Sequence, residues 1–229
     1  MSNTPMQPID FSALLASSVH DLKNSLHALR ELICQLESFF PEQKPDELKQ
    51  LNFEANRMNN NLMQLLTLYK IGLSQCTPTI DENYAVDILE DIVDQHSTLL
   101  SLGNVELITE CDSDLMCYCD SAMISNALCT IVNNAHRYCQ SKVLISASQE
   151  QDYVVFSIED DGAGYPESLM SSDGQQQLPQ VDLGTGNTGL GLFFTRTIAR
   201  LHANAGKQGF IETDNNSRLG GARFRLYLP

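Results

Sequence analysis

Three short strings in the C-terminal half of the chain could do chemistry together. Asn133-Asn134-Ala135-His136-Arg137-Tyr138 comes first. Ile158-Glu159-Asp160-Asp161-Gly162-Ala163-Gly164 follows, and Gly186-Asn187-Thr188-Gly189-Leu190-Gly191-Leu192 comes last. A carboxylate entering a glycine turn, here Asp160 before Gly162 and Gly164, can accept from the amino group of adenine; the glycines allow close backbone approach and positive φ. Asn134 can offer a side-chain oxygen to Mg²⁺ and leave metal positions for phosphate oxygens and water. Arg137, on the same helix face, can meet phosphates, and Tyr138 can pack on a nucleotide. Gly186, Thr188, Gly189, Leu190 and Gly191 open a helix whose free N–H groups favour anions. Together the three strings suggest an ATP site with Mg²⁺.

The string Gly184-Thr185-Gly186-Asn187-Thr188-Gly189 also fits G-x-G-x-x-G. A dinucleotide fingerprint needs a strand before it and an acid about 20 residues after it. The preceding Gln-Leu-Pro-Gln-Val-Asp-Leu is a poor strand and the acid is missing, so that reading is set aside.

The elements that must hold these strings read as mixed α/β. A helix is expected over 85–102, a strand over 105–109, and a helix over 121–138 carrying Asn134. Strands follow over 142–148 and 153–159, then a helix over 189–202 and closing strands over 210–213 and 222–228. Residues 165–185 are polar and read as a long loop, of the kind that serves as a lid. This mixture implies an α+β sandwich.

Upstream the pattern changes. Leu15, Val19, Leu22, Leu26, Leu29, Ile33, Leu36 and Phe40 step by four and three, a heptad seam. Pro41 ends it, and Pro45 with Asp46 supplies a turn and a helix start. A second seam runs Leu48, Leu51, Ala55, Met58, Leu62, Leu65, Tyr69. The short link makes the pair an antiparallel hairpin. Two hairpins form a four-helix bundle, so a homodimer is expected; packing on the rest of the same chain is the alternative. The expected domains are a tail over 1–10, the hairpin over 11–76 and an ATP-binding domain over 77–229.

His20 lies on the first helix, in His20-Asp21-Leu22-Lys23-Asn24, at a heptad position beside the seam. A neutral imidazole nitrogen can attack phosphorus. Asp21 can hydrogen-bond the ring or take its proton, and Asn24, one turn on, can orient a water. An exposed histidine on a polar helix face is the plainer reading; the coexistence of an ATP site in the same chain favours the phosphoacceptor. His27, on the same face, lacks a following acid and serves as the comparison.

The chain carries 29 acidic and 14 basic side chains, a formal charge of -15. That disfavours nucleic acid and anionic membrane as partners, but ATP needs only local donors and Mg²⁺. No apolar run approaches the roughly 18 residues of a membrane span. The N-terminal string has neither the basic start nor the apolar stretch of a signal peptide, so the expected location is cytoplasmic. Seven cysteines lack any C-x-x-C pair and read as free thiols. Cys117 and Cys119 would share a face if they lay on a strand.

At these residues the chain resembles the two-component sensor histidine kinases, over about 11–229. His20 to Asn24 looks like the H-box, in the form similar to an acid-x-x-Asn motif linked with phosphatase activity. Asn134, Arg137 and Tyr138 look like the N-box, Asp160 to Gly164 the G1 box, and Gly186 to Leu192 the G2 box. Gly220-Gly221-Ala222-Arg223-Phe224 and the final Leu228-Pro229 look like the end of the GHKL-type ATP-binding domain. Four features depart from the pattern. Thr130 stands where an earlier asparagine is usual, and Ser25 where a proline is common, so the first helix should run straight. The lid has no phenylalanine, and it has no Lys or Arg.

The resemblance implies a histidine kinase that phosphorylates His20 from Mg-ATP and passes the phosphoryl group to a response regulator receiver domain; either the chain is a fragment or its signal arrives through a separate sensor protein. Three rivals remain open. One is a phosphotransfer or regulatory binding module with a degenerate ATP site. Another is a GHKL ATPase of the chaperone or DNA-repair kind, against which the His20 hairpin argues. The last is phosphatase-dominant behaviour through Asp21 and Asn24.

Overall fold

In the computed structural model, residues 11–40, 45–170 and 189–229 are described. The chain divides into two compact units, Met1–Leu73 and Ser74–Pro229.

The first unit holds α1 (Phe11–Ser38) and α2 (Asp46–Gly72). Ser25, in place of proline, keeps its N–H, and its hydroxyl donates to the Asp21 carbonyl at 2.9 Å, so α1 runs without a break. Pro45 caps α2, its carbonyl taking the N–H of Leu48 at 3.1 Å. Ile33, Leu48 and Ala55 form a buried cluster, and Asn52 donates to Glu37 at 2.9 Å, so α2 runs back along α1.

The two seams bury only alternate heptad positions. Val19, Leu26 and Ile33 are buried on α1, as are Leu48 and Ala55 on α2. The intervening Leu22, Leu29 and Leu36, and Leu51, Met58 and Leu65, are all exposed. Each helix therefore spends half its apolar stripe on the other and presents the rest outward.

The second unit begins with β1 (Asp81–Tyr84), α3 (Ala85–Leu102), β2 (Glu106–Cys111), β3 (Met116–Cys119) and α4 (Ser121–Tyr138). It continues with β4 (Lys142–Glu150), β5 (Tyr153–Asp160), a 3₁₀ turn (Glu167–Leu169) and α5 (Leu190–Leu201). The short ribbon β6 (Ala203–Asn204) and β7 (Lys207–Gln208) precedes β8 (Phe210–Asp214) and β9 (Arg223–Leu228). The main sheet has the order β2-β4-β5-β9-β8. β2 and β4 are parallel and every other neighbour is antiparallel. The sheet is thus mixed, and the architecture is the expected α+β sandwich.

Alternation along the strands sends Val143, Ile145, Phe156, Ile158, Phe224 and Leu226 toward α3, α4 and α5, where all are buried. The other face carries a polar band beside a cluster of Tyr153, Phe210 and Tyr227. One rung across it reads Glu110, Ser146, Ser157, Arg225, Glu212. A cavity of about 370 Å³ lies there, walled by Glu110, Glu159, Arg218 and Arg223.

Four strands were not foreseen. β1 and β3 pair with each other at four residues each, too short for a periodic signal. Cys117 and Cys119 lie on β3 and share its buried face, their sulfurs 3.8 Å apart. The β6–β7 ribbon turns through Ala205 and Gly206, both at positive φ, as a two-residue hairpin requires. Beyond Met170, the loop read as a lid lies outside the described residues up to 188.

Candidate nucleotide site and phosphoacceptor helix

α4 is the ruler of the site. Asp120 caps it, accepting from Met123 N at 3.0 Å, and takes Thr79 N on its other oxygen. His202 secures the same point: its Nδ1 bonds the Ile198 carbonyl, so Nε2 accepts from Asp120 N at 3.1 Å. Ile124, Leu128, Ile131 and Ala135 face the core. That leaves Asn126, Thr130, Asn134 and Tyr138, spaced by four, along one stripe.

Both glycine boxes touch this stripe. A β-carbon on Gly191 would lie 2.8 Å from Thr130 Cγ2 and 3.5 Å from Asn134 Nδ2. A β-carbon on Gly162 would lie 2.3 Å from the Tyr138 carbonyl oxygen. Thr130 and Tyr138 are two turns apart, about 12 Å at 1.5 Å per residue. The helix thus brings the G1-like turn to one end of a stripe, the start of α5 to the other, and Asn134 between them.

Asp160, at the end of β5, is buried. Its Oδ1 accepts from Gly162 N at 2.8 Å and from Ala222 N at 3.1 Å. Among the described residues, both of these bonds go to Oδ1 and none to Oδ2. Burial raises the Asp160 carboxyl pKa, opposed by the Gly162 and Ala222 N–H groups and reinforced by the Asp161 charge. Asp161 goes the other way. Its desolvation cost is outweighed by bonds from the Ser141 hydroxyl and the N–H groups of Ser141, Lys142 and Gln140, which hold it well below the usual carboxylate range. Two adjacent carboxylates therefore have different work: Asp161 ties the start of β4 to the turn, and Asp160 faces the helix side of the sheet.

A strap of residues 215–222 encircles Asp160. Asn215 grips the Tyr165 backbone from both sides, at 2.6 Å and 3.0 Å. The Ser217 hydroxyl and Gly221 N both donate to the Asp160 carbonyl, and Asp160 N donates to Ala222 O. A β-carbon on Gly221 would sit 2.4 Å from Gly162 N and 2.6 Å from Asp160 Oδ1, so this position admits only glycine. The sequence had flagged Gly220 to Phe224 by resemblance, without giving these residues a part in the site. The turn string Asp214-Asn215-Asn216-Ser217 was the available signal.

At the other end, Gly189 takes a left-handed φ of 60 and begins α5, and Phe193 N closes the first turn on the Gly189 carbonyl at 3.0 Å. Leu190 and Gly191 form this first turn, at the positive end of the helix. Gly186 and Thr188 lie outside the described residues. Thr130, in the usual asparagine position, turns its hydroxyl back to the Asn126 carbonyl and its methyl toward Gly191. Asn133 bonds His96 on α3 instead of facing the site. Arg137 and Tyr138 are exposed at the C-terminal end of α4, the guanidinium 5.5 Å from the ring centroid.

On α1, the His20 side chain lies outside the described residues, while Asp21 and Asn24 are exposed. His27 lacks an acid next in sequence, yet Glu31 stands one turn on at 3.4 Å. An acidic neighbour alone therefore does not separate the two histidines.

Residues 119–229 match the histidine kinase-, DNA gyrase B-, and HSP90-like ATPase family. The chain is 28% identical over 217 residues to the sensor protein BasS of Escherichia coli, covering 91% of this chain and 55% of that protein. The histidine kinase AdeS of Acinetobacter baumannii superimposes with a TM-score of 0.60 at 20% identity, covering 91% of this chain and 96% of the solved one. ShkA, solved full-length in complex with AMPPNP, gives 0.68 at 17% identity, covering 95% of this chain and 46% of its own. The chain spans about half the length of the curated relatives it matches.

Proposed function

We propose that this chain, which belongs to the two-component sensor histidine kinases and carries their GHKL-type catalytic core, binds Mg-ATP in its second unit, moves the γ-phosphoryl group to His20 and passes it to an aspartate of a response regulator receiver domain. The observation that carries the nucleotide part is the α4 stripe. A buried carboxylate with one oxygen open and a glycine-opened helix start lie two turns apart, with Asn134 between them.

The residues fit the ligand. Gly162 and Gly221 lack the β-carbons that would crowd Asp160. Asp160 Oδ2 accepts from the adenine amino group. The N-terminus of α5, opened by Gly189, takes phosphate oxygens. Among the described residues, no three His, Cys, Asp or Glu side chains gather to hold a metal. Asn134 would therefore share Mg²⁺ with the nucleotide, whose bound metal neutralises phosphate charge.

A ring nitrogen of His20 forms the P–N bond as the bond from the γ-phosphorus to the bridging oxygen breaks, and ADP leaves with that electron pair. Asp21 accepts the proton from the ring. The receiver aspartate then attacks the phosphorus, and His20 recovers its lone pair. Asn24 orients water for hydrolysis of the regulator's phosphoryl group, which gives the same helix a phosphatase activity.

The half-covered seams support a homodimer. Leu22, Leu29 and Leu36 with Leu51, Met58 and Leu65 would meet their copies and close a four-helix bundle. Among the described residues no helix is long and apolar enough to cross a membrane. We place the catalytic unit in the cytoplasm, where ATP and receiver domains are found.

The second reading is a binding module with a degenerate site, which the Thr130 methyl against Gly191 favours. Titration with ATP separates the two. The kinase reading expects Mg²⁺-dependent binding that weakens by about tenfold or more in Asp160→Asn, the loss of a hydrogen bond to a charged acceptor. Absence of binding by the unaltered protein leaves the module.

A further inference from the structure

Asp160 and its neighbour Glu159 point to opposite faces of the sheet, as successive strand residues must. Asp160 faces the helices, while Glu159 sits at the wall of the open-face cavity, its side chain only 4% exposed. Both Glu159 oxygens are taken by one residue. Arg218 N donates to Oε2 at 2.6 Å, and Arg218 Nε donates to Oε1 at 2.9 Å. The far side of the guanidinium reaches Glu110 on β2 at 2.8 Å. Arg218 therefore pins the strap to the open face. Three and four residues later the same strap delivers Gly221 N and Ala222 N to Asp160 on the helix face.

We propose that Arg218 is a positioning residue for adenine recognition: clamped on Glu159, it holds the strap whose Ala222 N–H fixes Asp160 Oδ1 and so aims Oδ2 at the base. The proposal rests on the reading of Asp160 as the adenine acceptor. The local chemistry explains why a clamp is needed. The strap between Asp214 and Arg223 has no ladder of its own, and Gly220 and Gly221 add backbone freedom at the point of closest approach. Ser217 and Asn215 hold its first half to the β5 end and to Tyr165, and Arg218 adds a charged side-chain contact to the buried Glu159 carboxylate. Charge-assisted pairs of this kind fix direction as well as distance. The guanidinium is half exposed from the cavity side, so the clamp can be altered without opening the core.

The test is a pair of dissociation constants, for ATP and for purine riboside triphosphate, which lacks the 6-amino group. They are measured with Mg²⁺ for the full chain, Arg218→Met and Arg218→Lys. The unaltered protein should prefer ATP. Arg218→Met should weaken ATP by about tenfold and leave the analogue within about twofold, so the preference collapses. Both variants keep the backbone N–H bond to Glu159; Arg218→Lys also keeps a positive charge beside the carboxylate and should fall between. Equal weakening of both nucleotides would mean a general structural loss and overturn the clamp, as would an unchanged preference. If Arg218→Met does not fold, Arg218→Lys decides by the same ratio. An unaltered protein that binds both nucleotides equally overturns the Asp160 reading itself, and the aim of the clamp with it.

Discussion

The carbonyl oxygen of Tyr138 lies where a β-carbon on Gly162 would come within 2.3 Å of it. The last turn of α4 and the glycine turn after β5 are therefore in contact through backbone alone. Any side chain at 162 must push the turn off the helix. Gly162→Ala should reduce ATP affinity by more than tenfold and lower stability by about 1–3 kcal/mol, the usual range for overpacking. Gly72→Ala is the control. A β-carbon there meets nothing within 4 Å, so ATP binding should not change. Calorimetric titration and a thermal melt of both variants read the contrast.

ATP binding should depend on pH through Asp160. Only the ionised carboxylate accepts well from an amino group. Burial raises the Asp160 pKa from its ordinary value of 3.8, while Asp161 is held below it. Affinity should be full near neutrality and fall on acidification, beginning above the ordinary aspartate range. ATP titrations along a pH series check this. The purine analogue should lose less over the same series.

Two buried histidines and the half-buried His136 set a second pH dependence. Burial is the main cause that lowers the pKa of His96, His136 and His202. For His202 the neutral form is also required by geometry, since Nε2 accepts from Asp120 N. The folded chain binds fewer protons than the unfolded chain below the ordinary imidazole value of about 6.5. Their contribution is thus complete above that pH and lost as pH falls from there toward the folded values. The melting temperature of the second unit should drop between pH 7.5 and 5.5, and His202→Gln should flatten part of that drop. A melting temperature constant across this window counts against the assignment.

Much of this was legible in the sequence, and the parts that were not share a cause. Helix α4 was readable over 121–138, and the structure adds its cap, Asp120. Asp160, Gly162 and Gly191 stood out as candidates because glycine beside a carboxylate or a helix start has few ordinary explanations. The strap was not, because Asn215, Ser217 and Arg218 act on Tyr165, Asp160 and Glu159 some 50 to 60 residues away. Spacing says nothing about such a pairing. The heptad seams announced a bundle, but only the fold separated Ile33, which α2 covers, from Leu29, which it leaves open. The Glu31 partner of His27 was missed by looking only at the next residue and not one helical turn on.

The open half of the seams predicts a specific split between two kinds of leucine-class substitution. Leu22→Glu with Leu29→Glu should convert a dimer to a monomer in light scattering while each hairpin keeps its helicity. Ile33→Ala should instead unfold or loosen the hairpin, costing about 2–5 kcal/mol as a buried truncation. A dimer that survives the double charge substitution would place the interface elsewhere.

The central claim is that a phosphoryl group moves from ATP to His20. Incubation with γ-labelled ATP and Mg²⁺, followed by acid and base treatment, tests it most directly. The account predicts label that is lost in acid and kept in base, absent from His20→Ala and undiminished in His27→Ala. Failure of the unaltered protein to take label, or label that persists in His20→Ala, would contradict it.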